Sequence, residues 1–580
     1  MHKNRYMRNC VRSLGSAVFG PLSPGSAPHR ARTTVGENLR CWIQRFGFLA
    51  ALCALGMTSS SNSARADEPD QELAELRARL DLLEQQNAEL RAQVLNPQTV
   101  FTTGNPSDAP IGEEDAHIRS IVSQYLAEKK AEEKAAEEAK KAAAAEDGHE
   151  VGSDLNMTAK WNNGLELSTK NKDFRIHIGG RTQYDGAAFW PDASVSPPNI
   201  NQPYQNGNDF RRARLRIDGT MYEQQEFAVE YDFINSARFP SPAASTNENV
   251  FAVTAFTDVW WQLKEVPVVG NIRIGNQKEA IGFEHLVSSR FLPFMERSYN
   301  QDTFYGGSYN GFTPGIAIHD SYGEDTGTWN IGVYKPTNNV FAFNAHTGDY
   351  AVTGRVTKLL WYEADGADLL HIGVGARQFT SVNNQMRYRT RDAIRSGVSQ
   401  VWPIPADTGT LFANTGQFLD PEIAAVHGPW TFQSEYLMNW THDVRKAAAG
   451  PVLAEQVFYS GGYMQLFYFL TGEHDNYSKE RAAFDRVKPR ENFFLVRSEG
   501  CVHSGWGAWQ IGARYNYLNL NNNGINGGIL NNYTVGLNWF WNPNMKVQFN
   551  YMLTDRNSAA AAGLGDGTIH GIGMRFAHDF

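Results

Sequence analysis

From about residue 155 to the last residue, apolar and polar positions alternate with a period of two. That is the spacing of strands whose two faces meet different surroundings. Over 174–184 one face carries Phe174, Ile176, Ile178 and Tyr184, and the other Arg175, His177, Arg181 and Gln183. Arg212, Arg214, Arg216 and Asp218 likewise oppose Ala213, Leu215 and Ile217. Phe227, Val229, Tyr231 and Phe233 oppose Ala228, Glu230 and Asp232, and Val547, Phe549, Tyr551 and Leu553 oppose Lys546, Gln548 and Asn550. Sixteen such segments recur, near 174–184, 210–221, 224–234, 254–264, 270–279, 314–321, 326–334, 350–361, 368–380, 418–427, 429–440, 456–471, 506–520, 530–541, 544–554 and 567–580. The number is even, and most segments suit a tilted membrane strand of roughly 9–11 residues.

The connections tend to alternate. Tight turns at 221–223, 265–269, 363–367, 427–429 and 542–544 are interleaved with long loops such as 185–209, 235–253, 280–313 and 381–417. Short periplasmic turns and long outer loops are the asymmetry of outer-membrane barrels. Ile572, Met574, Phe576 and the terminal Phe580 share one face of the last segment. The pattern predicts an all-β fold, a 16-stranded antiparallel transmembrane barrel over 156–580. A soluble sandwich would alternate too, but its arginines would face water outside a dry core.

Upstream the period changes. Leu73, Leu76, Leu80, Leu83, Asn87, Leu90 and Val94 follow 3-4 spacing, the seam of a helical coiled coil over 67–100. A single helix lying on another domain would leave the same pattern. An Ala/Lys/Glu-rich tract at 128–146 lacks an apolar stripe, so 101–155 reads as a charged helical or flexible spacer. Before both, Arg40 and Arg45 precede the apolar run 46–57, and Ala64-Arg65-Ala66 has the small-residue form of a cleavage site. Residues 1–66 therefore read as a secretory signal region, with an unusually long n-region. The apolar run is too short to span a bilayer as a helix.

Among 580 residues, 53 Lys and Arg stand against 62 Asp and Glu, a net charge of −9. Loss of residues 1–66, with nine basic and one acidic side chain, would leave −17. Most of that acidity belongs to 67–155, which holds 21 acidic and nine basic residues, and so it says little about a ligand of the barrel. Cys10, Cys41 and Cys53 leave with the signal, and Cys501 alone cannot form an intrachain disulfide. No G-x-S-x-G, G-x-x-x-x-G-K-[ST], H-E-x-x-H or C-x-x-C occurs, so no enzyme is expected. Glu473-His474-Asp475 is read as a hydrated polar turn, not a metal site. No cofactor and no nucleic-acid partner are expected.

If the apolar face meets lipid, the opposite face lines a pore. Parity places Arg175, Arg181, Arg212, Arg214, Arg216, Arg273, Arg355, Arg377, Arg514, Lys546 and Arg575 inside. Fewer acids join them: Asp185, Asp218, Glu226, Glu230, Asp232, Asp258 and Glu435. Arg212, Arg214 and Arg216 form a ladder with steps of about 7 Å. Guanidinium binds phosphate oxygens in pairs, and a row of moderate sites lets an anion step along it. The alternative is that these arginines pair with Glu230 and Asp232 and stiffen the wall. Arg387, Arg389, Arg391 and Arg395 form a further basic cluster, either an anion funnel or a solvated loop.

Several stretches resemble the phosphate-selective porins O and P of Gram-negative outer membranes. They are Phe174-Arg-Ile-His-Ile-Gly-Gly-Arg181, Phe210-Arg-Arg-Ala-Arg-Leu215, Phe227-Ala-Val-Glu-Tyr-Asp-Phe233, Phe294-Met-Glu-Arg297, Tyr468-Phe-Leu-Thr-Gly-Glu473, Arg486-Val-Lys-Pro489 and Gly536-Leu-Asn-Trp-Phe-Trp-Asn-Pro-Asn544. The resemblance implies a homotrimer in outer-membrane lipid, an arginine-ladder lumen, and a pore narrowed by 280–313, 381–417 and the long periplasmic turn 472–505. It brings Lys278 into the path, although strict parity turns that residue outward. In that turn Arg481, Arg486, Lys488 and Arg490 would join the basic path. The functional expectation is passive, anion-selective diffusion of phosphate or similar anions. The alternative is a structural outer-membrane anchor whose periplasmic coiled coil attaches to the cell wall.

Overall fold

The computed structural model describes residues 150–580 apart from 198–202, 239–249, 306–310, 338–341, 343, 345–347, 382–383, 397–402, 499–500 and 558–563. The signal region, the coiled coil over 67–100 and most of the spacer lie outside the described residues.

Eighteen strands hydrogen-bond into one sheet. Sixteen close the barrel: β1 (Arg175–Pro191), β2 (Gly207–Met221), β3 (Gln225–Arg238), β4 (Val250–Val266), β5 (Gly270–Lys278), β6 (Phe312–Tyr322), β7 (Gly327–Tyr334), β8 (Ala351–Glu363), β9 (Asp368–Thr380), β10 (Thr415–His427), β11 (Trp430–Val444), β12 (Ala454–Phe469), β13 (Ala508–Asn522), β14 (Ile525–Asn542), β15 (Met545–Asn557) and β16 (Gly567–Asp579). Neighbours in sequence pair antiparallel, and β16 pairs with β1 from Ile569 opposite Pro191 to Asp579 opposite Arg181. All sixteen segments read from the alternation are present. The other two strands were not anticipated. Met157–Trp161 and Leu165–Thr169 form a hairpin on the edge of β1 that β16 leaves free below Phe580.

Which face meets which medium is decided by neighbours on β16: Met574 is 49% exposed and Arg575 0%. Leu215, Ile217, Ile274, Val333, Val356, Val535 and Ile572 likewise stand outward and exposed. Inward positions hold Gln, Asn, Thr, Arg and carboxylates, most of them buried. A soluble sandwich with a dry core is thereby excluded, and the outer band has the lipid-facing character of a membrane barrel.

Three connections fold inward. Loop 279–311 carries two short helical turns, α1 (Phe283–Leu286) and Gln301–Tyr305, and runs along the inner faces of β13–β15. Lys546 Nζ and Gln548 Nε2 donate to the Leu292 carbonyl at 2.7 and 3.0 Å, and Asn538 donates to Pro293 at 2.8 Å. Asn550 accepts from the Met295 amide at 3.0 Å, and Asn516 from the Tyr299 amide at 3.3 Å. The amide-rich inner face of these strands thus satisfies the backbone of an irregular loop, which would otherwise be buried with unpaired polar groups. The second connection, between β9 and β10, is pinned where Asp392 accepts from the Tyr204 and Tyr299 hydroxyls, each at 2.9 Å. The third, between β12 and β13, sends Phe484 against Phe283 of α1 at 4.9 Å between ring centroids.

Candidate functional site: an arginine-rich lumen

The inward faces of β1–β10 and the three infolded connections border a cavity of about 1520 Å³. Seventeen Lys and Arg and eleven Asp and Glu border it among the described residues. Eight of the ten residues anticipated for the anion path stand there: Arg175, Arg181, Arg212, Arg214, Arg216, Lys278, Arg355 and Arg377.

Their partners divide them. Arg214 binds Asp232 at 2.7 Å and Glu230 at 3.0 Å, and Arg181 also binds Glu230, as well as Ser289 at 2.8 Å. Arg216 bridges Asp258 at 2.8 Å and Asp218 at 3.1 Å, and Arg175 reaches Asp218 at 2.9 Å. Arg377 grips Glu279 through two bonds of 2.7 and 2.9 Å. Arg355 binds Glu422 at 2.6 Å and the Ala482 carbonyl at 2.9 Å. Pairing with Glu230 and Asp232, weighed above as the alternative to a bare ladder, is therefore present for Arg181 and Arg214.

A second group borders the same cavity with no carboxylate among the described residues within 4.0 Å: Arg212, Arg273, Lys278, Arg297 and Arg389. Arg212 donates to Gln183 at 2.7 Å, and its Nε has no hydrogen-bond partner. Arg273 donates to Gln262 at 2.8 Å and lies 4.1 Å over the Trp260 ring. Arg297 donates to the Glu284 carbonyl at 2.9 Å and also binds that of Val287, closing α1. Lys278 donates to the His285 carbonyl. Gln277 borders the cavity with the same parity as Arg273, and Lys278, the last residue of β5, departs from that parity and borders it too, where the strand runs into loop 279–311.

Two placements correct the expectation. Arg514 and Arg575 do face inward, but loop 279–311 covers them, and neither borders the cavity. Arg575 holds Asp185 at 2.7 and 2.6 Å, Glu296 of the loop at 3.0 Å, and the Met295 carbonyl. Arg514 reaches Glu284 at 3.3 Å and the Glu296 carbonyl at 3.1 Å. Of the basic residues in the periplasmic turn, Arg481 borders the cavity, whereas Arg486 is drawn to Asp579 and the Pro543 carbonyl. Lys488 and Arg490 do not border it.

Parity missed Arg211. Gln183 pairs with Arg212 and Tyr184 with Phe210, so Arg211 is an extra residue, a bulge that lets it turn inward beside Arg212. It binds Glu296 through bonds of 2.6 and 2.9 Å. Arg290 and Arg297 were missed as individual lumen residues because a loop has no period to read. Burial, then the neighbouring Arg181 charge, draws the Arg290 guanidinium down to about 9, and it stays charged at neutral pH. Arg387, Arg389, Arg391 and Arg395 all border the cavity, and two are tied to loop 279–311 through Asp302: Arg391 at 3.2 Å and Arg395 at 3.0 Å.

A closed membrane barrel with this inner charge can be set beside known proteins. The family model described as "Phosphate-selective porin O and P" matches residues 178–580. The chain belongs to that family. It is an outer-membrane porin, a channel and not an enzyme. Porin O of Pseudomonas aeruginosa is 23% identical over 431 residues, covering 69% of this chain and 87% of its own. An uncharacterized protein of Caulobacter vibrioides is 23% identical over 557 residues, covering 92% of this chain and 96% of its own. Among solved structures, the anion-selective porin from Comamonas acidovorans aligns at a TM-score of 0.40 and 9% identity, over 70% of this porin and all of that chain. The trimer form of OmpT from Vibrio cholerae aligns at 0.39 and 11%, over 70% of this chain and 99% of that one.

Proposed function

We propose that this porin passes small anions, phosphate among them, by passive diffusion through the arginine-bordered lumen. The observation that carries the reading is the excess of basic over acidic side chains around the cavity, concentrated in Arg212, Arg273, Lys278, Arg297 and Arg389. Such groups replace part of an anion's hydration without holding it so tightly that it cannot leave. Arg175, Arg181, Arg214, Arg216, Arg355 and Arg377 shape the path, with their charge largely returned to neighbouring carboxylates. Arg514 and Arg575 act at one remove, by fixing the loop that narrows it. Family membership and the Porin O relative support the choice of phosphate. We further propose a homotrimer whose coiled coil at 67–100 stands in the periplasm and supports assembly.

The test is the reversal potential of the full-length porin in planar bilayers under a potassium chloride gradient, followed by competition of the chloride current with phosphate. The expected sign is anion-selective, with phosphate lowering the chloride current. A cation-selective or unselective potential overturns the reading. Absence of current would leave the structural anchor as the remaining one.

A further inference from the structure

The connection between β12 and β13 lies at the end of the barrel where the other turns are short. Its first part is inside: Val487 packs with Phe469, Ala508 and Phe540, all inward-facing. The chain then passes beneath the rim and reappears on the opposite side of the wall. The Phe493 amide donates to the Trp541 carbonyl at 2.6 Å. Its ring lies 4.5 Å from that of Trp539 and 5.3 Å from that of Trp541, between centroids. Both tryptophans share the outward face of β14 with the exposed Tyr533 and Val535. A hairpin follows, Phe494–Ser498 paired with Cys501–Gly505. Trp506 closes it, and its carbonyl accepts the indole N–H of Trp539 at 2.9 Å and of Trp509 at 3.2 Å.

This hairpin is thus fastened to the outside of the barrel. Three apolar side chains on it stand away from the protein: Trp506 is 75% exposed, Phe494 57% and Val502 55%. In water that arrangement is unfavourable, at about 25 cal/mol per Å² of apolar surface. The patch is continuous with the lipid-facing wall through Trp509, stacked 4.9 Å from Trp539, and through Trp541 against Phe576 at 5.5 Å. The Trp506 carbonyl satisfies the indole N–H groups of Trp509 and Trp539, while that of Trp541 is buried without a hydrogen-bond partner. Tryptophan concentrates at the headgroup level of bilayers.

We infer that the paired strands Phe494–Ser498 and Cys501–Gly505, with Phe493 and Trp506, form a membrane foot, seated in the boundary between headgroups and acyl chains of the periplasmic phospholipid leaflet. It clamps the rim of the barrel from outside while 470–490 fills the lumen from within. One connection thereby ties the constriction to the bilayer surface.

The test uses full-length protein in phosphatidylcholine vesicles whose acyl chains carry bromine at a shallow or a deep position. The emission of Trp506 is read as wild type minus Trp506→Phe. Shallow bromines should remove about half or more of that difference emission, and deep ones less. A difference emission quenched by neither overturns the inference. A second arm compares oligomer mass in detergent for wild type and the double variant Phe494→Ser/Val502→Ser, with heat-modifiable mobility to verify that each barrel has folded. Unchanged mass is expected; a fall in mass would overturn the lipid assignment by making the patch a contact between protomers.

Discussion

Arg212 and Arg214 stand two residues apart on one face of β2, and their surroundings differ in kind. Arg214 is locked between Asp232 and Glu230, whereas Arg212, bordering the same lumen, touches Gln183 and keeps a buried Nε without a hydrogen-bond partner. The first belongs to a wall that is stiff and electrically almost balanced; the second adds positive potential to the space an ion crosses. The same division separates Arg377 and Arg355 from Arg273 and Arg297. The number of arginines in a pore therefore overstates its field, because selectivity comes from charge that no nearby carboxylate returns.

The largest effect should come from opening a locked set. Arg575→Ala takes from Asp185 the guanidinium that holds it and leaves Glu296 to Arg211 and Arg395, and removing one partner of a buried pair costs about 3–5 kcal/mol. The denaturant midpoint of barrel unfolding should fall, and single-channel current should rise and become noisier as loop 279–311 loosens. An unchanged midpoint would show that the amide contacts of β13–β15 and the ion pairs of Arg211, Arg391 and Arg395 hold the loop without Arg575.

Next in size is the removal of an unpaired charge. Arg212→Gln should cut the anion-over-cation permeability ratio roughly fivefold, since one uncompensated charge about 7 Å from the ion path is worth about 1 kcal/mol in a watery pore. Folding should be unaffected. A smaller change is expected from Arg377→Gln combined with Glu279→Gln, which deletes a pair without altering net charge. That ratio should stay within about twofold of wild type. Equal losses in the two variants would erase the distinction between paired and unpaired groups.

The smallest effect is that of pH. Between about pH 5 and 8 guanidinium groups stay protonated, so reversal potential should be flat. Arg290, although drawn down to about 9, lies above that window. A titration step inside it would shift the weight to the Lys278 amine or to the imidazoles that border the same cavity.

The barrel strands were legible because lipid on one side and water on the other impose a period of two. Where only one side is constrained, the signal fades. Strand β1 continues to Pro191, well past the anticipated 184, and the hairpin strand Met157–Trp161, exposed along its whole length, carries no one-sided pattern to read. The inward direction of Arg514 and Arg575 was correct, yet parity cannot tell that a loop distant in sequence lies over them. Arg211 was invisible because a bulge changes the count locally. The alternation of a two-sided wall was enough to determine strand number, the identity of each face and the presence of an arginine-lined interior. Tertiary structure alone decided which guanidinium groups find carboxylates, since those partners arrive from adjacent strands and infolded loops whose positions no local period encodes.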